Sequence, residues 1–244
     1  MAIDKFTAII AGRKLKQIFL KSRMDRFTEP FSDGILKLAY ISKLSRWCAE
    51  QGVPEWNDRN DPGWRHEKRY DLYSHVMKAE NLDREIDYLE FGVGLGSSFD
   101  WWVEHNTNPA SHFTGFDTFS GLPENWGVLS KGEYSSGGKF PGKSDNRCSF
   151  EVGLFQDTLY RFLGTFRSDR KTVVHLDADL YSSTLFVLTQ LAPKLKPGDI
   201  LFFDEFGVPT HEFRAFTDAA WAYRMKYKLL GAVNNYMQIA LKIL

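Results

Sequence analysis

The stretch from Ile86 to Ser98 constrains this chain most. It reads Ile-Asp-Tyr-Leu-Glu-Phe, then Gly92-Val93-Gly94-Leu95-Gly96, then Ser97-Ser98. An apolar run of strand length ends next to an acid, glycines recur at alternate positions, and two hydroxyl residues open an apolar-aromatic segment. The pattern reads as strand, tight turn and helix start. Glycine permits the sharp bend and lets a ligand approach the backbone. The helix behind the turn offers free N–H groups and the positive end of its dipole. A nucleotide-type cofactor cradle is expected at Gly92, Gly94, Ser97 and Ser98, although a glycine-rich turn also occurs in α/β proteins that bind nothing there. The dinucleotide fingerprint Gly-x-Gly-x-x-Gly is not met, because serine stands at position 97. Glu90 would repel a pyrophosphate and attract an ammonium or sulfonium. S-adenosylmethionine carries both of those cations and no phosphate.

At 244 residues the chain fits one large domain, or one domain with an extension. Lysine plus arginine equals aspartate plus glutamate at 31 each, a balance that argues against a nucleic-acid or anionic-membrane footprint. Cys48 and Cys148 lie far apart without metal-type spacing, which points to a reducing cytoplasm and no zinc site. No apolar run reaches membrane-spanning length, and the N-terminus makes a poor signal peptide.

Residues 1–80 read as a helical extension, a lid or an oligomer interface. Ile3, Phe6, Ile10 and Ile18 recur at helical spacing, with Lys14, Lys16 and Lys21 between them. An amphipathic membrane anchor over residues 1–21 is the sharper alternative, but interfacial helices usually carry a stronger cationic face. From residue 81 onward strand and helix alternate, the signature of a mostly parallel sheet with Rossmann-like α/β architecture. A strand over 113–116 ends at Asp117, 21 residues after Gly96. An acid there can accept hydrogen bonds from both ribose hydroxyls of an adenosine cofactor, with Thr118 next to it. Thr118 to Arg147 is long and turn-rich and carries Trp126, Tyr134 and Phe140, as a lid over a substrate would. Gln156 and Asp157 follow the third strand and are candidates for reading the adenine edge, unless Asp157 or Thr158 merely caps a helix. Asn234-Asn235 between two apolar runs favours a hairpin, so the last strands are expected to be antiparallel.

Four acids stand at the ends of two consecutive strands: Asp177, Asp179, Asp204 and Glu205. Ligands of open α/β sheets bind at the carboxyl ends of strands. Clustered carboxylates raise one another's pKa unless a cation joins them. An all-oxygen donor set suits Mg²⁺ or Ca²⁺. His211 lies just beyond the fifth strand and is a candidate assistant in proton transfer, or a solvated loop histidine.

The segment Glu90–Ser98 is similar to the first motif of class I methyltransferases. Together with Gly115–Pro123, Asp157-Thr158-Leu159, His175–Tyr181 and Gly198–Glu205, it resembles the macrocin O-methyltransferase family, over roughly residues 70–244. That family comprises Mg²⁺-dependent enzymes that methylate sugar hydroxyls of antibiotics with S-adenosylmethionine. The resemblance implies the class I methyltransferase fold, a seven-stranded sheet with an antiparallel C-terminal hairpin strand. It implies that Asp177, Asp204 and Glu205 hold the metal, that Asp179 is the general base, and that Glu90, Gly92 and Asp117 contact the cofactor, with Asp177 beside them. Glu205 departs from the aspartate usual in the family. Leu180 replaces the catalytic lysine of catechol-type relatives, which argues against a catechol acceptor. Two readings compete: a cofactor-binding or scaffold protein without catalysis, and an NAD-dependent oxidoreductase.

Overall fold

The computed structural model describes residues 5–58, 63–125, 129–141, 145–167 and 169–244. In chain order the elements are α1 (Lys5–Lys21), α2 (Asp25–Thr28), a 3-10 turn (Glu29–Phe31), α3 (Ser32–Gln51), β1 (Trp56–Asn57), α4 (Lys68–Glu80), β2 (Ile86–Phe91), α5 (Ser97–His105), β3 (His112–Asp117), β4 (Cys148–Val152), α6 (Phe155–Thr165), β5 (Lys171–Leu176), α7 (Tyr181–Leu191), β6 (Ile200–Phe203), α8 (Glu212–Tyr223), β7 (Tyr227–Val233) and β8 (Gln238–Ile243). The chain divides into two compact units, Met1–Lys43 and Leu44–Leu244. Residues 44–80, expected in the extension, therefore lie in the second unit. Their apolar side chains explain why: Leu72, Tyr73 and Val76 of α4 are fully buried in the sheet's core.

The first unit is helical. Its helix α1 has no acidic residue in its first turn and buries no side chain.

The second unit is built on one sheet of order β1-β7-β8-β6-β5-β2-β3-β4. Strands β6, β5, β2, β3 and β4 run parallel, and β8 pairs antiparallel with both β6 and β7. Among the described residues eight strands stand where seven were expected, because the two-residue β1 adds to the edge beside β7. The expected hairpin is present: Asn234, Asn235 and Tyr236 all take left-handed φ (51°, 57° and 63°), a region asparagine tolerates well. Parallel strands crossed over by helices are covered on both faces and read as apolar runs. Every residue of β2 is buried. One face packs Tyr88, Phe113, Val173 and Phe202 against Tyr73, Phe99 and Trp102. On the other face Phe91 stacks on Phe116 at 4.5 Å, next to Phe155 of α6.

Candidate active site

The chain leaves β2 toward β3 on one side, while β5 lies on the other, so the strand order reverses at the end of β2. A cavity of about 690 Å³ opens at that place. Ligand sites of open α/β sheets lie at such crevices.

The glycine turn forms one wall. The Gly92 N–H donates to Phe116 O (2.9 Å), and Gly92 takes φ +94°. A Cβ at Gly92 would come 1.8 Å from the Asp177 carbonyl oxygen, so only glycine lets β2 and β5 approach here. Gly96, at φ +86°, is the N-cap of α5 and offers no side-chain cap, which leaves the helix N-terminus open to the cavity. Ser97, Ser98 and Gly94 also line the cavity.

Asp117 holds this turn. Its Oδ2 accepts the N–H groups of Val93 and Gly94, both at 2.8 Å, and its Oδ1 accepts that of Phe119 at 2.6 Å. The carboxylate expected on a ribose thus braces the backbone that faces the cavity. Thr118 lines the cavity too and donates through Oγ1 to Gly121 O.

Glu90 is 1% exposed and belongs to a buried polar chain. Tyr88 Oη donates to Glu90 Oε2 and contacts His175 Nδ1 at 2.8 Å. Tyr73 Oη bridges His175 Nε2 (3.2 Å) and Ser98 Oγ (3.3 Å). Burial raises the Glu90 carboxyl above its usual range, and its contacts with His175 and Tyr88 oppose that shift. The chain explains why an acid survives inside an apolar sheet: it carries hydrogen-bond partners, and the residue borders the cavity.

The four strand-end acids converge as expected, since β5 and β6 are neighbours. Their roles separate in an unforeseen way. Asp177, Asp179 and Glu205 can each place one oxygen within 4.8 Å of the others. Asp204 instead pairs through Oδ2 with Arg69 of α4 at 3.0 Å, both groups buried, while its Oδ1 has no protein partner. Glu205 Oε2 is likewise buried without a partner. Burial, then the Asp204 charge and then that of Asp117 push the Asp179 carboxyl up to about 7. Burial, then Asp204 and then Asp179 push Glu205 up to about 8. Asp177 is raised strongly, by burial first and then by Asp204, Asp179 and Glu205. Among the described residues Arg69 is the basic side chain paired with this cluster, and orphaned buried carboxylate oxygens of this kind suit a hard divalent cation. Behind them, Glu212 at the start of α8 is fully buried and accepts the Glu205 N–H through Oε2 at 2.9 Å, fixing the turn that carries Asp204 and Glu205.

Gln156 lines the cavity from the first turn of α6, while Asp157 beside it is exposed and outside the lining. Successive helical positions point 100° apart, so only one of the pair faces inward. His211 is also outside the lining. It is the N-cap residue of α8, and burial followed by Arg214 lowers its pKa. Ser182 lies in the first turn of α7 and donates to Glu124 Oε1 at 2.9 Å, both residues lining the cavity.

Of the turn-rich segment expected to be a lid, the described residues fold into a loop beside the cavity. Leu122 and Glu133 pair through their backbones, and a Cβ at Gly121 would meet Gly132 O at 2.3 Å, so the loop closes on itself. Tyr134 lines the cavity. Phe140 packs on Phe119 (4.8 Å) and Phe150 (5.4 Å) and anchors the loop rather than facing a ligand. Trp126 lies outside the described residues. Arg69 and His66, from the N-terminal part of the second unit, line the cavity and were not foreseen. The arginine's only sequence signal was its place at the start of a helix with an apolar face.

Residues 138–235 match the family model of Macrocin-O-methyltransferase (TylF). The chain is similar to the 8-demethyl-8-(2,3-dimethoxy-alpha-L-rhamnosyl)-tetracenomycin-C 4'-O-methyltransferase of Streptomyces olivaceus, 35% identical over 94 residues, 38% of this chain and 33% of the relative. It is similar to the Mycinamicin III 3''-O-methyltransferase of Micromonospora griseorubida, 33% identical over 30% of this chain and 29% of the relative. The matched part thus spans about a third of the length of these curated relatives. Among solved structures, the calicheamicin methyltransferase CalS11 superposes with a TM-score of 0.57 at 23% identity, covering 73% of this chain and 80% of that one. The O-methyltransferase NovP gives a TM-score of 0.54 at 19% identity, covering 72% and 79%. The protein has the class I methyltransferase fold, and its residues 138–235 match the macrocin O-methyltransferase family.

Proposed function

We propose that this chain transfers a methyl group from S-adenosylmethionine to a sugar hydroxyl of a glycosylated small molecule, with a divalent cation, Mg²⁺ by donor chemistry. The observation that carries the reading is the single cavity lined both by the glycine turn with Glu90 and by the converging acids Asp177, Asp179 and Glu205. When bound, S-adenosylmethionine supplies a sulfonium-activated methyl group, and Mg²⁺ supplies Lewis-acid polarisation of the acceptor hydroxyl. Glu90 attracts the cationic end of the cofactor, while the open N-terminus of α5, Ser97 and Ser98 bind its polar atoms. Asp117 and Gln156 orient its nucleoside part. Asp177, Asp179 and Glu205 would hold the cation, with Asp204 Oδ1 in reserve and Asp204 Oδ2 kept by Arg69. Asp179 also takes the hydroxyl proton on its second oxygen. Tyr134 and the loop it belongs to cover the acceptor side. Similarity to proteins named for rhamnosyl and mycinamicin methylation supports a deoxysugar acceptor. Free Cys48 and Cys148 support action in a reducing compartment such as the cytoplasm.

The test uses two readouts. S-adenosylhomocysteine should raise the melting temperature, since it binds the folded state only, and NADH should not. Isotope-labelled methyl transfer to TDP-rhamnose or a rhamnosylated glycoside should require Mg²⁺ and stop in EDTA. Protection by NADH alone would overturn the cofactor assignment, and full turnover in EDTA would overturn the metal.

A further inference from the structure

We propose that the first unit docks on an anionic phospholipid bilayer as an interfacial, non-spanning surface. The neutral charge of the whole chain conceals a division. Residues 1–43 hold nine lysines and arginines against four acids, a net charge of plus five, so residues 44–244 carry minus five. The unit boundary falls at this same place, which makes the positive charge a property of one compact body rather than a fluctuation along the chain. Charge asymmetry of this kind marks contact with an anionic polymer or surface.

Helix α1 decides between those partners. Over Lys5–Lys21 it carries Lys5, Arg13, Lys14, Lys16 and Lys21 and no acid. The same helix leaves Phe6 75% exposed, Leu15 62%, Ile18 61% and Leu20 69% exposed. Phe27, Phe31, Ile35 and Leu38 of the following helices are 62–70% exposed as well. Soluble monomers rarely leave so much apolar surface in water. A nucleic acid would use the charges and leave these side chains wet. A second copy of the unit would bury them but bring like charges together. A bilayer with anionic headgroups satisfies both, because interfacial binding grows with buried apolar area and with attraction to anionic lipid, and lysine stems reach past apolar neighbours to the headgroups. Among the described residues no helix is long and apolar enough to cross a membrane, so the surface would lie on the bilayer.

Sedimentation of the full chain with vesicles tests this. Vesicles of equal parts phosphatidylcholine and phosphatidylglycerol should pull the protein down, vesicles of phosphatidylcholine alone should not, and high salt should release it. The triple variant Lys14→Glu, Lys16→Glu, Lys21→Glu should lower the partition coefficient by at least about a hundredfold, since the loss of three cations near the surface alone accounts for that much. The triple variant Phe6→Ser, Ile10→Ser, Leu20→Ser should lower it roughly tenfold or more through lost apolar burial. Both variants should melt as the wild type does, because α1 buries nothing. The proposal is overturned if the wild type stays in the supernatant, or if it sediments equally with neutral vesicles. It is also overturned if light scattering finds a dimer that survives charge reversal and dissociates with the serine variant, or if an RNA oligonucleotide binds equally well to that variant.

Discussion

Asp179 stands in the left-handed region at φ 57°, one of few non-glycine residues there. Such conformations cost energy and persist where the surroundings over-determine them. Here the bend carries the carboxylate past the end of β5 and into reach of Asp177 and Glu205. Under the proposed function, base and metal-ligand roles would therefore fall on one side chain. Asp179→Asn should abolish methyl transfer and also weaken Mn²⁺ binding, followed by electron paramagnetic resonance, by a factor close to that of Asp177→Asn. If Mn²⁺ affinity in Asp179→Asn equals wild type, Asp179 is a base only, and Asp204 Oδ1 takes the ligand position. Leu180 is 2% exposed, so its side chain belongs to the core and not to the acceptor.

At the scale of the element, the turn between β2 and α5 works because its glycines are not equivalent. Gly92 has both a positive φ and a carbonyl where a Cβ would go, whereas Gly94, at φ +54°, meets nothing within 4 Å. Gly94→Ala should cost about 1–2 kcal/mol, the usual strain of a left-handed alanine. Gly92→Ala adds a backbone clash that only separation of β2 from β5 relieves, and should cost more than about 4 kcal/mol. Urea unfolding measures both, and equal costs would mean that the two strands part easily. The turn itself was legible in the sequence, since alternating glycines after a buried run have few other uses. Its brace was not legible: Asp117 was read as a ribose ligand, and only the register of β2 beside β3 aims it at Val93 and Gly94.

At the scale of the whole molecule, the acid cluster is a store of electrostatic strain. In the folded, metal-free state Asp179 titrates at about 7 and Glu205 at about 8, whereas in the unfolded chain both titrate near 4. Between those values the folded state binds more protons, so stability falls as pH rises. In EDTA the melting temperature should be several degrees higher at about pH 5.5 than at about pH 8. Saturating Mg²⁺ should reverse the loss, with its largest gain at the higher pH, because a cation favours the ionised acids. A melting temperature in EDTA that is flat over this range would mean that the acids are not preassembled.

The sequence by itself determined the α/β class, the alternation of strands and helices from β2 onward and the antiparallel C-terminal hairpin. These follow from local patterns: buried strands read as apolar runs, glycine marks the turns, and acids mark strand ends. Residue types at the site were legible for the same reason, since Glu90, Gly92 and Asp177 are bound to strands whose ends meet. Tertiary structure decided which side chains share a contact. Arg69 reaches Asp204 only because α4 packs on the sheet, and Asp157 and His211 fall outside the cavity because helix phase and cap geometry turn them away. It also decided that residues 44–80 belong with the sheet, because Leu72 and Tyr73 find their apolar partners there rather than in the helices before them. Spacing along a chain fixes periodicity, but distance across a sheet depends on register and packing that no local stretch encodes.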